Sequence, residues 1–333
     1  MTAPPPGLRF VRDPDLLRVS GLMQASWAEP CWVYDDPLLD YHLRRPSVDR
    51  DLLLGLEHEA SGELVAYYAL MPLLARIGHE DRRAVFGSFL TVAPAFRRLG
   101  AARALQVELL GRAISSGYEQ YFAFCEVGST SNESIVRSCA AIGLSTKALT
   151  RINYLALPAV VLAKRALAAS GQVRPYAAGD RPTAAELPYR RRSPHLEGRH
   201  DRRDLEHRWA ASIARTYVLP TANNIEALAH LVVLSVRDGG RVFRNLYLRE
   251  FEPGALDRTG QEQFLCDVLR AAVEEGGNHA VLAPACESSP VDLLMRLGFR
   301  PMSRGLDLLA TPLRAGSRLT IAGPHVDFRL DVF

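Results

Sequence analysis

The stretch Phe89-Leu-Thr-Val-Ala-Pro-Ala-Phe-Arg-Arg-Leu-Gly-Ala-Ala-Arg-Ala-Leu105 predicts a strand, a sharp turn and a helix. Residues 84–92 are apolar and prone to β-structure, and Pro94 cannot donate a ladder hydrogen bond. Residues 101–114 carry apolar side chains at helical spacing. The turn between the strand and the helix consists of Arg97, Arg98, Leu99, Gly100, Ala101 and Ala102.

A helix that begins on such small residues leaves its first backbone N–H groups and the positive end of its dipole facing outward. These groups form a ready site for a phosphate or pyrophosphate. Arg97 and Arg98 flank the site, and Gly100 and Ala102 allow a large anion to approach the backbone closely. The sequence therefore predicts an anion-binding turn.

The same segment resembles the acyl-CoA-binding motif of the GNAT acyltransferases, which reads Gln/Arg-x-x-Gly-x-Gly/Ala. The motif is present as Arg97-x-x-Gly100-x-Ala102. The Leu-x-Val-x-Pro that precedes it in the family is present as Leu90, Val92 and Pro94. The resemblance implies that this turn anchors an acyl-CoA, with acetyl-CoA as the default donor and a longer acyl group as the alternative.

The resemblance also implies where the thioester lies. In the family, strand N–H groups splayed open by a bulge polarise the thioester carbonyl, and the matching residues are Leu90, Thr91 and Val92. The pantetheine arm is expected along the edge of this strand. A second strand, Phe122–Glu126, is expected to diverge on the opposite side.

A second GNAT motif, Asn-x-x-Ala-x-x-x-Tyr-x-Lys-x-Gly-Phe, resembles the segment from Asn132 to Leu144. Asn132 matches the asparagine that touches the pantetheine arm. The tyrosine that usually protonates the departing thiolate falls on Cys139, whose thiol is able to donate a proton. The alternatives are that Cys139 is a small buried residue, that Ser138 is the acid, or that water protonates the thiolate directly.

Glu126 follows the predicted strand Tyr121–Cys125 and is therefore expected beside the thioester. A carboxylate at this place can take a proton from the attacking amine, directly or through a water. The competing interpretation is a loop carboxylate that forms an ion pair with a nearby arginine. The sequence does not decide between the two.

The chain is expected to contain two GNAT-like copies. Residues 1–150 show the GNAT order of strand, helices, hairpin, strand, helix, strand and helix, and residues 151–172 are predicted to be a linker with one short helix at 159–169. Residues 173–333 repeat the pattern weakly. The predicted fold class is therefore α/β, with two tandem GNAT-like domains, each a twisted mixed β-sheet flanked by helices.

The second copy differs where the anion-binding turn belongs. It carries Glu252-Pro-Gly-Ala-Leu-Asp-Arg-Thr-Gly-Gln261, in which Arg258 and Gly260 stand one residue too close together for the motif. No small residue follows at the expected helix start. We therefore expect that residues 173–333 do not hold CoA and instead support the first domain or wall the acceptor pocket.

Composition narrows the class of protein. The 333 residues are 48% hydrophobic and 23% charged, as in a soluble globular chain of two domains. The cysteines form no Cys-x-x-Cys pair and no secretory signal or apolar run of about 18 residues is present, which predicts a reduced cytoplasmic protein without a structural metal or a membrane span. A net charge of +3 is too small to imply nucleic acid.

The basic segment 189–208 is the one stretch that suggests a polyanion site. Acidic residues interleave with its arginines, which favours a solvated, salt-bridged entry to a helix instead. We expect Trp209 to pack inward from that helix. The sequence therefore predicts no nucleic-acid partner.

These features together predict an acyl-CoA-dependent N-acyltransferase whose acceptor is the amine of a small molecule or a peptide. The alternative is a catalytically silent acyl-CoA-binding sensor, because the family's tyrosine is absent. Two copies in one chain can imitate the dimer of the family internally, which favours a monomer. The sequence does not rank possible acceptors.

Overall fold

The structure is a computed structural model that describes residues 3–78, 80–164, 170–180, 184, 187, 196–199, 202–222, 224–285, 290–314 and 326–328. This part of the chain forms one mixed sheet of 15 strands with helices packed against it. The mixed α/β class predicted from the sequence is confirmed.

Helices and strands follow one another in a pattern that occurs twice along the chain. The described helices are α1 (Leu16–Ser26), α2 (Asp36–Leu43), α3 (Ala101–Ser115), α4 (Thr130–Ala140), α5 (Ala159–Lys164), α6 (Arg202–Ala210), α7 (Arg258–Glu274) and α8 (Val291–Arg296). The described strands are β1 (Leu8–Arg12), β2 (Cys31–Trp32), β3 (Leu53–His58), β4 (Leu64–Ile77), β5 (Glu80–Val92), β6 (Gln120–Glu126), β7 (Lys147–Pro158), β8 (Arg174–Pro175), β9 (Leu196–Arg199), β10 (Ala214–Pro220), β11 (Ile225–Asp238), β12 (Arg241–Glu252), β13 (Ala280–Pro284), β14 (Arg300–Pro312) and β15 (Val326–Phe328).

Across the sheet the strands lie in the order β1-β3-β4-β5-β6-β14-β7-β13-β12-β11-β10-β8. β5 and β6 run parallel, and so do β12 and β13. The other neighbours in this order are antiparallel. The sheet therefore consists of two similar halves that meet at the pair formed by β14 and β7. The first half contains β1 and β3–β6, and the second contains β8 and β10–β13.

The last strand of each half crosses to the other half. β7 follows α4 in the chain but pairs with β13, and β14 follows α8 but pairs with β6. Residues 151–158, expected within a linker, therefore belong to a strand at the centre of the sheet. That expectation was wrong because the strands that pair with β7 lie far along the chain and leave no local hairpin signal. Of the helix expected at 159–169, residues 165–169 lie outside the described residues.

The other predicted elements occur close to their expected positions. The β3–β4 and β11–β12 hairpins, the helices α3 and α7, and the strands β6 and β13 match the periodicity of the sequence. The first strand of the weak repeat over residues 173–333 is short, since only Arg174 and Pro175 pair with β10. A two-residue strand has too few alternating positions to be distinguished from a loop by pattern.

Three hydrophobic clusters hold the layers together. α3 and α4 cover one face of the first half around Leu109, and α7 and α8 cover one face of the second half around Phe264. On the opposite face, α1 and α2 contribute Leu39 and its neighbours to a cluster that contains Phe122 of β6 and Tyr247 of β12. Because this cluster draws on strands of both halves, burial of its apolar surface stabilises the two halves as one body.

Two charged residues of α6, Asp204 and Arg208, are buried in this junction. Arg208 is fully buried and forms an ion pair with Glu250 of β12 at 2.6 Å. Asp204 accepts a hydrogen bond from the backbone N–H of Ser47 at 2.8 Å and lies 3.6 Å from the Arg45 guanidinium. The solvated helix entry predicted here was therefore wrong for Asp204 and Arg208, whose buried charges pair with Arg45 and Glu250, whereas Arg203 is exposed. Residues 189–195 and 200–201 lie outside the described residues.

Trp209 is buried, as predicted. Its indole N–H donates to the Glu250 carboxylate at 3.2 Å. A buried tryptophan usually finds such a polar partner. The contact anchors α6 to β12.

Candidate active site

β5 carries a bulge near its carboxyl end. Ala69 pairs with Ser88 but Tyr67 pairs with Thr91, so β5 uses one residue more than β4 across this step. Phe89 takes up the extra length with a φ of 62°, a left-handed conformation that is costly for a residue with a side chain. The bulge therefore falls immediately before the residues expected to face the thioester.

β5 and β6 separate at the same level. Their parallel pairing ends at Gly87 and Ala123. Beyond this point residues 88–92 of β5 and 124–126 of β6 do not pair with each other, and β6 continues its pairing with β14. We call the space between these two segments the fissure.

Gly87 is required at the point of separation. A Cβ atom on Gly87 would collide with the hydroxyl of Tyr68 and would lie 2.9 Å from that of Tyr121. These two buried hydroxyls share a hydrogen bond of 2.7 Å over the glycine. Two tyrosines from the flanking strands thus support the closed end of the fissure.

α3 follows β5 after the turn of residues 93–100, and the start of the helix is open. Gly100 is the N-cap residue with a φ of 85°, and it provides no side-chain cap to the helix. A Cβ atom at this place would meet nothing within 4 Å. Of the motif residues that follow, Ala101 is buried and Ala102 is half-buried. The free N–H groups of the first turn are therefore accessible to an external anion.

The arginines of the turn are not equivalent. The Arg97 guanidinium donates to the backbone oxygens of Ser26 at 2.7 Å and Val92 at 3.2 Å, so it ties the turn to the end of α1. Arg98 is exposed, has a φ of 68° and forms no ion pair within the described part of the chain. Arg103, one turn into α3, is also exposed and is equally free of ion pairs there.

Sequence reasoning selected Arg97 and Arg98 and missed Arg103. The sequence did indicate Arg103, because a residue three positions after the N-cap lies on the first turn of a helix. Leu99 stands between the two left-handed residues of the turn with 59% of its side chain exposed. It forms the outer rim of the turn.

The start of α4 lies on the other side of the fissure and is also open. Its N-cap residue Ser129 makes no side-chain hydrogen bond to the helix. The Ser129 hydroxyl is buried and lacks a hydrogen-bond partner among the residues that the structure describes. Asn132 is half-buried in the first turn of the same helix. Both helix starts that border the fissure thus offer polar groups.

Glu126 ends β6 at the open end of the fissure. It is exposed, pairs with Leu306 through the backbone, and forms no ion pair in the described ranges. The arginine partner considered in the sequence analysis is thus absent from those residues. Burial raises the pKa of Tyr34, and the Cys31 thiol and the Glu126 carboxylate add to this increase.

Leu90, Thr91 and Val92 form the side of the fissure that belongs to β5. Thr91 is buried, and its hydroxyl donates to the Phe89 carbonyl at 3.2 Å and accepts from the Trp27 indole N–H at 3.0 Å. Leu90 and Val92 are half-buried and pack against the cluster beneath α3 and α4. Because β6 no longer pairs with β5 at this level, the backbone N–H groups of Leu90 and Val92 have no partner strand on that side among the described strands.

Cys139 is not brought to this place. Its side chain is fully buried, and its Sγ lies 3.7 Å from the Thr311 hydroxyl. Thr311 pairs with Tyr121 whereas Glu126 pairs with Leu306, so five strand residues, or about 17 Å, separate the two levels. Burial raises the pKa of the Cys139 thiol. These observations fit the interpretation as a small buried residue.

Trp27 and Tyr34 were not found by sequence reasoning. They belong to the segment between α1 and α2, and Tyr34 packs edge-on against Phe89 with 6.2 Å between ring centroids. Aromatic residues in an irregular segment carry no periodic signal. Only the fold brings them to the bulge.

No protein-family model matches the chain. No curated protein matches it either. Solved structures do match, although at low identity. N-myristoyltransferase of Saccharomyces cerevisiae with bound myristoyl-CoA superposes with a TM-score of 0.75 at 14% identity, over 92% of this chain and 82% of that one.

Two solved structures of GCN5-related N-acetyltransferases also match the chain. A GCN5-related N-acetyltransferase from Kribbella flavida gives a TM-score of 0.56 at 16% identity, over 91% of this chain and 70% of that one. A GCN5-related N-acetyltransferase from Anabaena variabilis gives a TM-score of 0.58 at 12% identity, over 92% of this chain and 73% of that one. The chain has the tandem GNAT fold. The resemblance drawn from residues 90–102 is thus confirmed at the level of the fold.

The described residues also bear on two other kinds of site. None of the helices there combines the length and the apolar character that crossing a bilayer requires. Histidine, cysteine and carboxylate side chains in the same ranges form no group of three suited to a metal ion.

Proposed function

We propose that the chain is an acyl-CoA-dependent N-acyltransferase that transfers an acyl group directly from the CoA thioester to an amine. The observation that carries this proposal is the open start of α3 at the end of the fissure strand, with Gly100 in a left-handed conformation. A helix start of this kind attracts a pyrophosphate. The solved structures that superpose on the chain are also named as N-acyltransferases.

In this proposal the first half binds the donor. The N–H groups at Gly100, Ala101 and Ala102 take the pyrophosphate, and the exposed Arg98 and Arg103 take the remaining phosphate charge. Arg97 and Leu99 shape the turn. Asn132 and the Ser129 hydroxyl face the pantetheine arm from α4.

The backbone of Leu90, Thr91 and Val92 faces the thioester. N–H groups that β6 no longer engages are the groups suited to stabilise the oxyanion of the tetrahedral intermediate. They are part of a rigid sheet and need little reorganisation as charge develops. The bulge at Phe89 turns them toward the fissure.

Glu126 acts as the base in this proposal. The amine nitrogen attacks the thioester carbon, its proton passes to the Glu126 carboxylate directly or through a water, and the C–S bond breaks to release CoA thiolate. Water protonates the thiolate, because the Cys139 thiol is buried away from the fissure. The sequence left this route open.

The proposal assigns unequal roles to the two halves. Residues 1–150 carry the acyl-CoA site, and residues 173–333 carry none, so one acyl-CoA binds per chain. Acetyl-CoA is the default donor and the acceptor is a small-molecule or peptide amine. A monomer in the cytoplasm stays a prediction from the sequence.

Calorimetric titration tests the proposal. The purified chain is titrated with CoA, acetyl-CoA and myristoyl-CoA, and the donor that binds is then incubated with benzylamine, lysine amide, spermidine and a short peptide with a free amino terminus. Release of CoA thiol and mass spectrometry of the amine report transfer. One bound acyl-CoA per chain with an acylated amine supports the proposal, and failure of all three donors to bind rejects it.

The second candidate function is a silent acyl-CoA sensor. The burial of Cys139 favours it, because the acid expected from the family motif is then missing. A sensor binds acyl-CoA at one site and transfers nothing to any amine of the panel. Thiol release above the uncatalysed rate rejects it.

A further inference from the structure

The segment between α1 and α2 lies against the bulge of β5. We call residues 27–35 the bridging loop. The Trp27 indole N–H donates to Thr91 and the Trp27 ring lies 5.9 Å from that of Tyr34, which in turn packs against Phe89. The bridging loop thus packs against the bulge of β5 and borders the fissure there.

The same loop is also part of the second half of the sheet. Cys31 and Trp32 form β2, which pairs with Arg237 and Val236 of β11. The N–H of Val33 donates to the Ser235 carbonyl at 2.8 Å. The loop that borders the fissure of the first half is therefore held in register by a strand of the second half.

One ion pair fastens this contact. A carboxylate oxygen of Glu29 lies 2.9 Å from Nε of Arg237, and its other oxygen accepts from the N–H of Gly240 in the β11–β12 turn at 2.9 Å. The Arg237 guanidinium also donates to the Gln24 carbonyl of α1 at 3.1 Å. Glu29 and Arg237 are each 32% exposed. A partly buried charge pair with two further hydrogen bonds restricts the loop more than an isolated surface pair does.

We infer that Glu29 and Arg237 form a clamp by which the second half fixes the bridging loop over the bulge, so that both are positioning residues for the amine acceptor. This inference rests on the proposed function for its catalytic part. The clamp does not touch α3 or the anion-binding turn. Loss of the clamp therefore weakens amine binding and leaves acyl-CoA binding intact.

The clamp also gives the second half a task that needs no cofactor. The β11–β12 hairpin ends in Gly239 and Gly240, and the N–H of Gly240 is aimed at Glu29. A hairpin tip that is fixed to a 12-residue strand on one side and to the loop on the other acts as a rigid brace. Acceptor choice then depends on residues of both halves.

Charge reversal tests the clamp. Glu29→Arg places two cations together, whereas Glu29→Gln keeps an oxygen for Gly240 and Arg237→Lys keeps the charge. The matched control is Glu262→Arg, which reverses one member of the exposed Arg296–Glu262 pair (2.7 Å) between α7 and α8 of the second half. Each variant is compared in thermal stability, acetyl-CoA affinity, amide hydrogen exchange and acetyl transfer to the amine of the panel that reacts best.

In Glu29→Arg we expect amide exchange of residues 27–35 to rise about tenfold, with Val33 as the reporter. We expect KM for the amine to rise about tenfold, kcat to change less, and acetyl-CoA affinity to stay within about twofold. Glu29→Gln and Arg237→Lys should retain most of the wild-type KM. Glu262→Arg should leave all four measurements unchanged.

Unchanged exchange of residues 27–35 in Glu29→Arg overturns the clamp. Faster exchange with an unchanged KM for the amine overturns its role in acceptor positioning. If the wild-type chain binds acetyl-CoA but acylates no amine, the proposed function fails separately. In that event the role in acceptor positioning is rejected as well. Amide hydrogen exchange of residues 27–35 still decides whether the clamp orders the bridging loop.

Discussion

The two halves start their equivalent helices in opposite ways. In the first half, α3 begins at Gly100, which offers no side chain to the free N–H groups. In the second half, α7 begins after Asp257, whose carboxylate accepts a hydrogen bond from the N–H of Gly260 at 2.7 Å. The second half thus supplies from its own chain the negative charge for which the first half leaves room.

The rest of the second half keeps the same architecture. β12 also carries a bulge, since Leu231 pairs with Leu248 but His230 pairs with Glu250, and its parallel pairing with β13 ends at Tyr247 and Leu282. Bulge and separation of strands are therefore features of the fold. The two halves differ at the helix start, which lacks a side-chain cap at Gly100 and is capped by the Asp257 carboxylate in the second half.

The largest expected effect follows from closing the first helix start. Gly100→Glu adds a carboxylate where the pyrophosphate is proposed to bind, and it also strains a backbone with a φ of 85°. Calorimetry should show at least about a 100-fold loss of CoA affinity, because anion binding is replaced by repulsion. Gly143→Glu is the matched control, since Gly143 has a φ of 76°, equal space, and lies after the far end of α4.

A loss of affinity in Gly143→Glu as large as in Gly100→Glu would show that general destabilisation, and not the carboxylate at the helix start, is responsible. Gly100→Ala separates the two causes further. It brings the strain of about 1 kcal/mol without the carboxylate. Its affinity should therefore stay close to that of the wild type.

Glu126 should matter for turnover and not for donor binding. Glu126→Gln removes the proposed base at the end of β6 and should lower kcat about 100-fold with unchanged acetyl-CoA affinity. The second half ends the corresponding strand in Pro284 and lacks a carboxylate at that place. Stopped-flow or coupled thiol release over a range of pH checks this. An undiminished kcat would exclude Glu126 as the base.

The exposed arginines of the first helix start should have a smaller effect. Arg98→Ala and Arg103→Ala should each weaken CoA binding about fivefold, because exposed charge pairs contribute about 1 kcal/mol or less. Arg258→Ala is the control from the closed helix start, where the exposed Arg258 opens α7. Calorimetry at low and high salt separates the variants, since screening should reduce the effect of the first two. Equal losses in all three would contradict a single site.

The local part of this comparison was readable in the sequence. The strand, turn and helix of residues 84–115 have their signals within a short window, as do Asp257 and the helix that follows it. The exchange of β7 and β14 was not readable, because each strand pairs with partners from the other half. A periodicity argument sees which residues alternate but not which strand they join.

The candidate site divides in the same way. Gly100, Arg98 and Glu126 were found because each stands next to an element boundary. Trp27 and Tyr34 were not, since their place beside Phe89 depends on the register of β2 against β11. Motif alignment also gave the position of Cys139 but not its burial, which is decided by the packing of α4 on β14.

Opening the second helix start should affect stability alone. Asp257→Ala removes the cap of α7 and should lower the free energy of unfolding by about 1 kcal/mol. It should not create a second CoA site, because the N-cap Asp257 has a φ of −67° and the left-handed Gly254 lies three residues before it, not at the helix start. Asp257→Asn is the control that keeps a capping oxygen and should be neutral. Two CoA molecules bound per Asp257→Ala chain would show that the cap alone silences the second half.

Cys139 offers the smallest expected effect and the sharpest test of motif-based assignment. Because burial raises its pKa, the thiol is protonated at neutral pH in the wild type, and removing it changes no charge there. Cys139→Ala should therefore keep kcat within about twofold at every pH, and it should cost about 1 kcal/mol of stability through the small cavity left against Thr311. Ile135→Val, on the same buried face of α4, is the packing control. A fall in kcat in Cys139→Ala at constant acetyl-CoA affinity, without one in Ile135→Val, would restore the thiol as the acid and would require α4 to move when the donor binds.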